Sequence, residues 1–128
     1  MSSRGVRNPE RDIVASLRAL AVETAKHGYA AILPATVSLP VDSLRLWVRA
    51  VRVARDEQSA ELQRGRARDE AIILGGNSEG PAINHSRKGA HDPTVLIGGT
   101  EFLRALEDRP EDWSSLRLVT VAPELKGA

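Results

Sequence analysis

A stripe of arginines, a pair of loop histidines and two glycine pairs are the chemically suggestive features of this 128-residue sequence. Arg45, Arg49 and Arg52 recur at i, i+4 and i+7. On a helix that spacing stacks three guanidinium groups into one narrow stripe. Such a stripe can neutralise phosphates or grip guanine edges, or it can be neutralised in turn by carboxylates of its own chain. His85, His91 and Asp92 carry metal-ligating atoms. Their spacing matches no zinc or iron pattern, no helix fixes the imidazoles and cysteine is missing, so no metal site is expected. Asn84-His85-Ser86 has the form of a glycosylation sequon, which matters only in a secreted protein. Gly98-Gly99-Thr100 follows an apolar run and opens a short helix, a geometry that can offer backbone N–H groups to an anion. A tight strand-to-helix turn explains the same glycines, and neither GxxxxGK[ST] nor GxGxxG is present. No serine sits in a GxSxG elbow. Glu107, Asp108, Glu111 and Asp112 cluster around Arg109-Pro110 and read as a solvated turn or as the counterpart of the arginine stripe. These features name no enzyme, no catalytic residue and no cofactor.

The elements that must position these groups fall into two halves. Asn8 suits a helix N-cap and Pro9 the first helical position, with Glu10 and Asp12 favoured by the helix dipole. Ile13, Leu17, Leu20 and Thr24 recur at helical spacing, and Gly28 follows Lys26 and His27 as a natural stop, so a helix is expected from Pro9 to His27. Pro34 and Pro40 make the next segment a turn-rich connector or one very short helix. A second helix starts near Asp42 or Ser43 and runs to about Gln63, with Leu44, Trp47, Val48, Val51 and Ala54 on its apolar face. Its length suggests that the distal half packs on a partner chain. Ala71–Gly76, Thr94–Gly99 and Leu116–Pro123 are strand candidates, and Thr100 can cap a short helix that Pro110 limits. The expected class is α+β: one domain over 1–128, with an N-terminal arm at 1–7, a helical part at 8–68 and an α/β part at 69–128 holding a mobile loop at 76–93.

Composition narrows the setting. Aromatics make up 3% of the chain, too few for the stacking platforms of single-strand binders, so the core must be aliphatic. Cysteine is absent, which excludes a disulfide framework and fits a reducing compartment. The N-terminus lacks the apolar stretch of a signal peptide and no run of eighteen apolar residues occurs, so a cytoplasmic address away from membranes is expected. Residues 1–55 carry nine Lys/Arg against four Asp/Glu, and residues 56–128 nine against thirteen. A basic first half can seek nucleic acid, or it can pair with its own acidic second half within or between chains.

Ser38 to Arg52, SLPVDSLRLWVRAVR, resembles the turn and recognition helix of helix-turn-helix domains in transposase subunits and phage small-terminase-like proteins. The resemblance implies that Ser38 stands at the turn and that Leu44 and Trp47 pack into the core. Ser43, Arg45, Arg49 and Arg52 would then face duplex DNA, with Arg4 and Arg7 of the arm adding contacts. The function so implied is that of a non-enzymatic DNA-binding protein acting as a homo-oligomer or within a larger complex. Two other classes stay open: a structural assembly or adaptor protein, such as a phage or secretion-machine component or a partner-specific inhibitor, and a small phosphate-binding α/β domain using Gly98-Gly99-Thr100.

Overall fold

The computed structural model describes residues 7–65 and 69–125. Helix α1 (Pro9–Lys26) begins as its cap predicts: the Asn8 side chain accepts the Arg11 N–H at 3.2 Å, and Glu10 and Asp12 occupy the first turn. It buries Val14, Leu17 and Ala21 at helical spacing. Helix α2 (Val41–Gln63) starts after Pro40 and buries Leu44, Val48, Ala50, Val51 and Ala54 along one side. Helix α3 (Gly99–Asp108) is short and buries Phe102. No helix among the described residues is long and apolar enough to cross a membrane.

Between the helices run short parallel strands. They are β1 (Ala31–Ile32), β2 (Ala35–Thr36), β3 (Ile72–Ile73), β4 (Gly76–Glu79) and β5 (Leu116–Thr120). β1 pairs with β3, and β2, β4 and β5 pair in that order, every pair parallel. Parallel neighbours need a crossover, and α2 and α3 provide it. The class is therefore α+β with a helical N-terminal part, as expected.

Two pieces differ from the sequence reading. The connector between Pro34 and Pro40 is flanked by strand on its N-terminal side: β1 and β2 lie at either end of Leu33-Pro34, where the fixed φ of proline interrupts the ladder. The expected strand over Thr94–Gly99 is instead a 3-10 turn at Pro93–Val95, then an irregular link over 96–98 that leads into α3. A short apolar run suits a strand or a buried turn equally, and here no neighbouring strand receives it. β4 also occupies the first four residues of the stretch read as loop.

Burial alternates along β1 to β4 except at Gly75-Gly76, whereas in β5 only Leu116 and Val119 are half-buried. Ile32, Pro34, Thr36 and Ser38 turn toward the helices, whereas Ala31, Leu33, Ala35 and Val37 are exposed. Ala71, Ile73, Gly76 and Ser78 likewise turn inward, and Ile72, Leu74 and Glu79 turn outward. Two apolar clusters form on the helical side. Val14, Leu17, Ala21, Ala50, Val51, Ala54 and Ile73 make one, and Leu44, Val48, Ala82, Phe102 and Trp113 the other. Gly76 is required where α2 crosses the sheet, since a Cβ there would lie 2.7 Å from the Trp47 ring. The distal half of α2 finds its partners within the chain. Glu57 and Glu61 pair with Arg18 of α1, while Gln58 donates to the Ala71 carbonyl and accepts from the Ile73 N–H, both at 2.9 Å.

Candidate active site

In parallel α/β sheets the carboxyl ends of the strands are where side chains of successive units converge. At that end of this sheet, β2 runs into Val37-Ser38, β4 ends on Glu79 and continues through a cis Gly80-Pro81 bond, and β5 ends on Thr120. The backbone ties these ends together, with Gly80 N–H donating to the Thr120 carbonyl at 2.9 Å and Ile97 N–H to the Pro81 carbonyl at 3.2 Å. Gly80 has φ +87°, and a Cβ there would collide with the Ser38 hydroxyl, so a side chain is excluded on both counts.

The long connection from β4 to α3 folds back over these ends and delivers His91. Its Nδ1 accepts the Ser38 N–H at 3.0 Å and lies 2.8 Å from the Ser38 hydroxyl, which donates to the Glu79 carbonyl at 3.1 Å. With Nδ1 serving as acceptor, the proton of the neutral ring sits on Nε2. That atom faces Glu79 Oε2 at 3.9 Å, a gap too wide for a direct hydrogen bond and suited to a bridging molecule. The His91 side chain is 15% exposed and that of Glu79 is 49% exposed, so the imidazole is held while the carboxylate reaches outward. Asn77, two residues before Glu79 on the same side of the strand, buries its Oδ1 with no hydrogen-bond partner. The arrangement offers a carboxylate able to take a proton, a fixed N–H donor beside it, and Ser38 as the residue that positions the ring.

Apart from His91, the residues singled out by sequence go elsewhere. The arginine stripe is neutralised within the chain. Arg45 pairs with Asp42 at 3.1 Å and Asp112 at 3.9 Å and lies over the Trp113 ring. Arg49 pairs with Glu10 at 3.6 Å and Asp112 at 3.9 Å, and Arg52 donates to the Glu111 carbonyl at 3.0 Å. The basic first half thus meets the acidic second half inside one molecule. Ser43 and Arg7 are exposed, and Arg4 lies outside the described residues. His85, His91 and Asp92 are not gathered: His85 is exposed in a 3-10 turn, and Asp92 accepts from the Thr94 N–H and hydroxyl. Among the described residues no group of three or more His, Asp or Glu could hold a metal. Gly98-Gly99-Thr100 opens α3 without a preceding strand. Glu79 and Ser38 carry no pairing signal in the sequence because forty-one positions separate them. The one available signal was a Ser-Glu-Gly-Pro run after an apolar strand candidate.

The helix-turn-helix expectation fails on structure as well as on charge. The segment before α2 is strand and proline-bound turn, so the first helix that such a motif requires is missing.

No protein-family model matches this chain. It is similar to the N-acetylgalactosamine-6-phosphate deacetylase of Escherichia coli, with 33% identity over 113 residues, covering 85% of this chain and 26% of the relative. Among solved structures it is similar to the N-acetyl-D-glucosamine-6-phosphate deacetylase of Mycobacterium smegmatis. A mutant of that protein in complex with N-acetyl-D-glucosamine-6-phosphate superposes with a TM-score of 0.59 and 25% identity, over 91% of this chain and 28% of the other. A second structure of it gives 0.59 and 27%, over 84% and 25%. The chain therefore spans about a quarter of the length of these relatives. These likenesses overturn the expectations of a transposase- or terminase-like motif, of a DNA-binding or phage assembly role, of duplex DNA as partner, and of a protein without enzymatic kinship. The proteins it is similar to are deacetylases acting in sugar-phosphate chemistry.

Proposed function

We propose that this chain forms the part of a sugar-phosphate deacetylase that carries Glu79 and His91, and that its substrates are N-acetylated amino-sugar phosphates. The observation that carries the reading is the His91–Glu79 pair, fixed by Ser38 at the carboxyl ends of parallel strands, in a chain similar to deacetylases along most of its length. Hydrolysis of an N-acetyl group joins a water oxygen to the acetyl carbon and breaks the carbon–nitrogen bond. Glu79 takes a proton from that water as its oxygen attacks, and later returns it to the departing nitrogen. The Nε2–H of His91 donates to the acetyl oxygen as negative charge gathers there. Acetate and the free amino-sugar phosphate result, with the carboxylate restored.

Two experiments test the proposal. Titrating the chain with N-acetylglucosamine 6-phosphate or N-acetylgalactosamine 6-phosphate should move the amide resonances of Ser38, Glu79, His91 and Thr120, and the unacetylated sugar phosphates should move them less. Equal or absent shifts at millimolar ligand overturn the assignment. Substituting this chain for the matching segment of the Escherichia coli deacetylase should retain turnover, and Glu79→Gln should lower it by between about a hundredfold and ten-thousandfold.

A further inference from the structure

We infer that Val37 and Thr120, which flank Glu79 on the two neighbouring strands, orient the acyl group of the substrate and set its size. The acyl methyl packs on Val37 and the amide nitrogen turns to Thr120. The inference rests on the deacetylase reading and adds to it the residues that select the acyl chain.

Strand register puts the three side chains in one row. β2 pairs with β4 through Ala35 and Asn77 and then Thr36 and Ser78, so the next step brings Val37 level with Glu79. The register holds one step further, since Ser38 Oγ donates to the Glu79 carbonyl and fills the place that a Gly80 Cβ would take. On the other flank β5 pairs Thr120 directly with Glu79. Neighbouring strands lie about 4.8 Å apart, and paired residues project to the same face. That face is the one away from the helices. Ser38 and Ser78 are buried and Val119 packs against the helical cluster, while Val37, Glu79 and Thr120 are exposed.

The chemistry then assigns the two flanks. An acyl carbon is trigonal, with oxygen, methyl and nitrogen spread evenly in one plane. The oxygen goes to His91 Nε2, above the strand ends, where Ser38 at the end of β2 holds the ring by its Nδ1 at 3.0 Å. With water delivered by Glu79 to one side of that plane, the methyl and the nitrogen fall to the two flanks. Val37 presents a stiff, β-branched side chain with no polar atom, and it is 51% exposed beside the carboxylate. Ala35, two residues back on the same face, gives the recess a shallow apolar floor. Thr120 presents a hydroxyl that accepts the amide N–H. The reverse placement would press that N–H against Val37 with no acceptor, at the cost of desolvating it.

Steady-state kinetics of the joined protein, in which this chain replaces the matching segment of the Escherichia coli deacetylase, test the assignment with N-formyl, N-acetyl and N-propionyl galactosamine 6-phosphate. Val37→Ala should raise kcat/KM for the propionyl substrate relative to the acetyl one at least about tenfold, and Val37→Leu should shift preference toward formyl. Thr120→Val should lower kcat/KM about tenfold for every acyl group alike, and Thr120→Ser should restore it. An acyl preference unmoved by both Val37 substitutions, or moved equally by Thr120→Val, overturns the inference. Turnover that Glu79→Gln still lowers would then leave the deacetylase reading standing. Should the joined protein be inactive, magnetisation transfer in the chain itself decides. The acetyl methyl protons of N-acetylgalactosamine 6-phosphate should contact the Val37 methyl groups, and contact elsewhere overturns the inference. No binding at millimolar ligand removes the deacetylase reading and the inference together.

Discussion

The two faces of one sheet behave as if they belonged to different proteins. On the helical side the strand residues are buried or half-buried against the helices, and the serine hydroxyls that enter are satisfied: Ser78 Oγ donates to the Gly80 carbonyl at 2.6 Å and Ser115 Oγ to the Val48 carbonyl at 2.6 Å. On the other side large apolar residues meet solvent and Asn77 Oδ1 lacks a partner. The contrast teaches that alternation along a strand reports which residues share a face, whereas what covers that face must come from another part of the structure. It also separates the groups that hold the fold from those open to solvent, since Glu79 points outward while Ser78 and Gly76 beside it seal the interior.

Substitutions on the two faces sharpen that contrast. Leu44→Ala on the helical side leaves a cavity in a fully buried position and should cost about 2–5 kcal/mol in denaturant unfolding. Leu74→Ala on the bare side should stay within about 0.5 kcal/mol in the isolated chain, and equal costs for the two would break the distinction. Next in size is Arg18→Ala. The Arg18 guanidinium, 13% exposed, pairs with Glu57, Glu61 and Glu70, and the Glu70 side chain is only 8% exposed. Its removal takes the guanidinium partner from the buried Glu70 carboxylate and should cost about 3 kcal/mol, whereas removing the exposed Arg11 that shares Glu57 should cost far less. Gly76→Ala pushes a methyl into Trp47 and should cost about 1–3 kcal/mol, with a changed tryptophan fluorescence as its local signature.

Smaller effects belong to the strand-end site and its loop. Ser38→Ala removes the hydroxyl contact to His91 and the bond to the Glu79 carbonyl, and should cost about 1 kcal/mol while broadening the His91 ring resonances. The Asp92 carboxyl is held below the usual carboxylate range, chiefly by the Thr94 N–H and then by its hydroxyl. A depressed folded-state value contributes order above the unfolded value and loses it as pH falls through the folded one. Limited proteolysis of the 84–95 loop should therefore accelerate on acidification below about pH 4, and Asp92→Asn should remove most of that dependence.

Local signals carried most of the helical half. The Asn8 cap with Pro9, and Gly28 after His27, bound α1 to within a residue, and the Leu44–Val48–Val51 spacing found the buried side of α2. β5 was legible as an alternating run. β1 and β2 were not, because two residues either side of a proline carry too little pattern, and the run at Thr94–Gly99 carried a strand pattern without a strand neighbour. The arginine stripe was legible as a helical stripe but not as a neutralised one. Its counter-ions at Glu10 and Asp112 lie far along the chain, and a spacing rule says nothing about what packs opposite.

By itself the amino-acid order determined the bounds of α1, the apolar side of α1 and α2, and that the two halves carry opposite charge, while the cap expected at Thr100 gave way to a start at Gly99. Those properties depend on neighbours within one or two turns, through caps, dihedral preferences and periodicity. Only the tertiary structure decided that the opposite charges meet in one molecule, that Ser38 and His91 fifty-three positions apart share a hydrogen bond, and that one face of the sheet is left bare. Each is a matter of chain closure in space, where contact is set by how the parallel crossovers bring distant segments together.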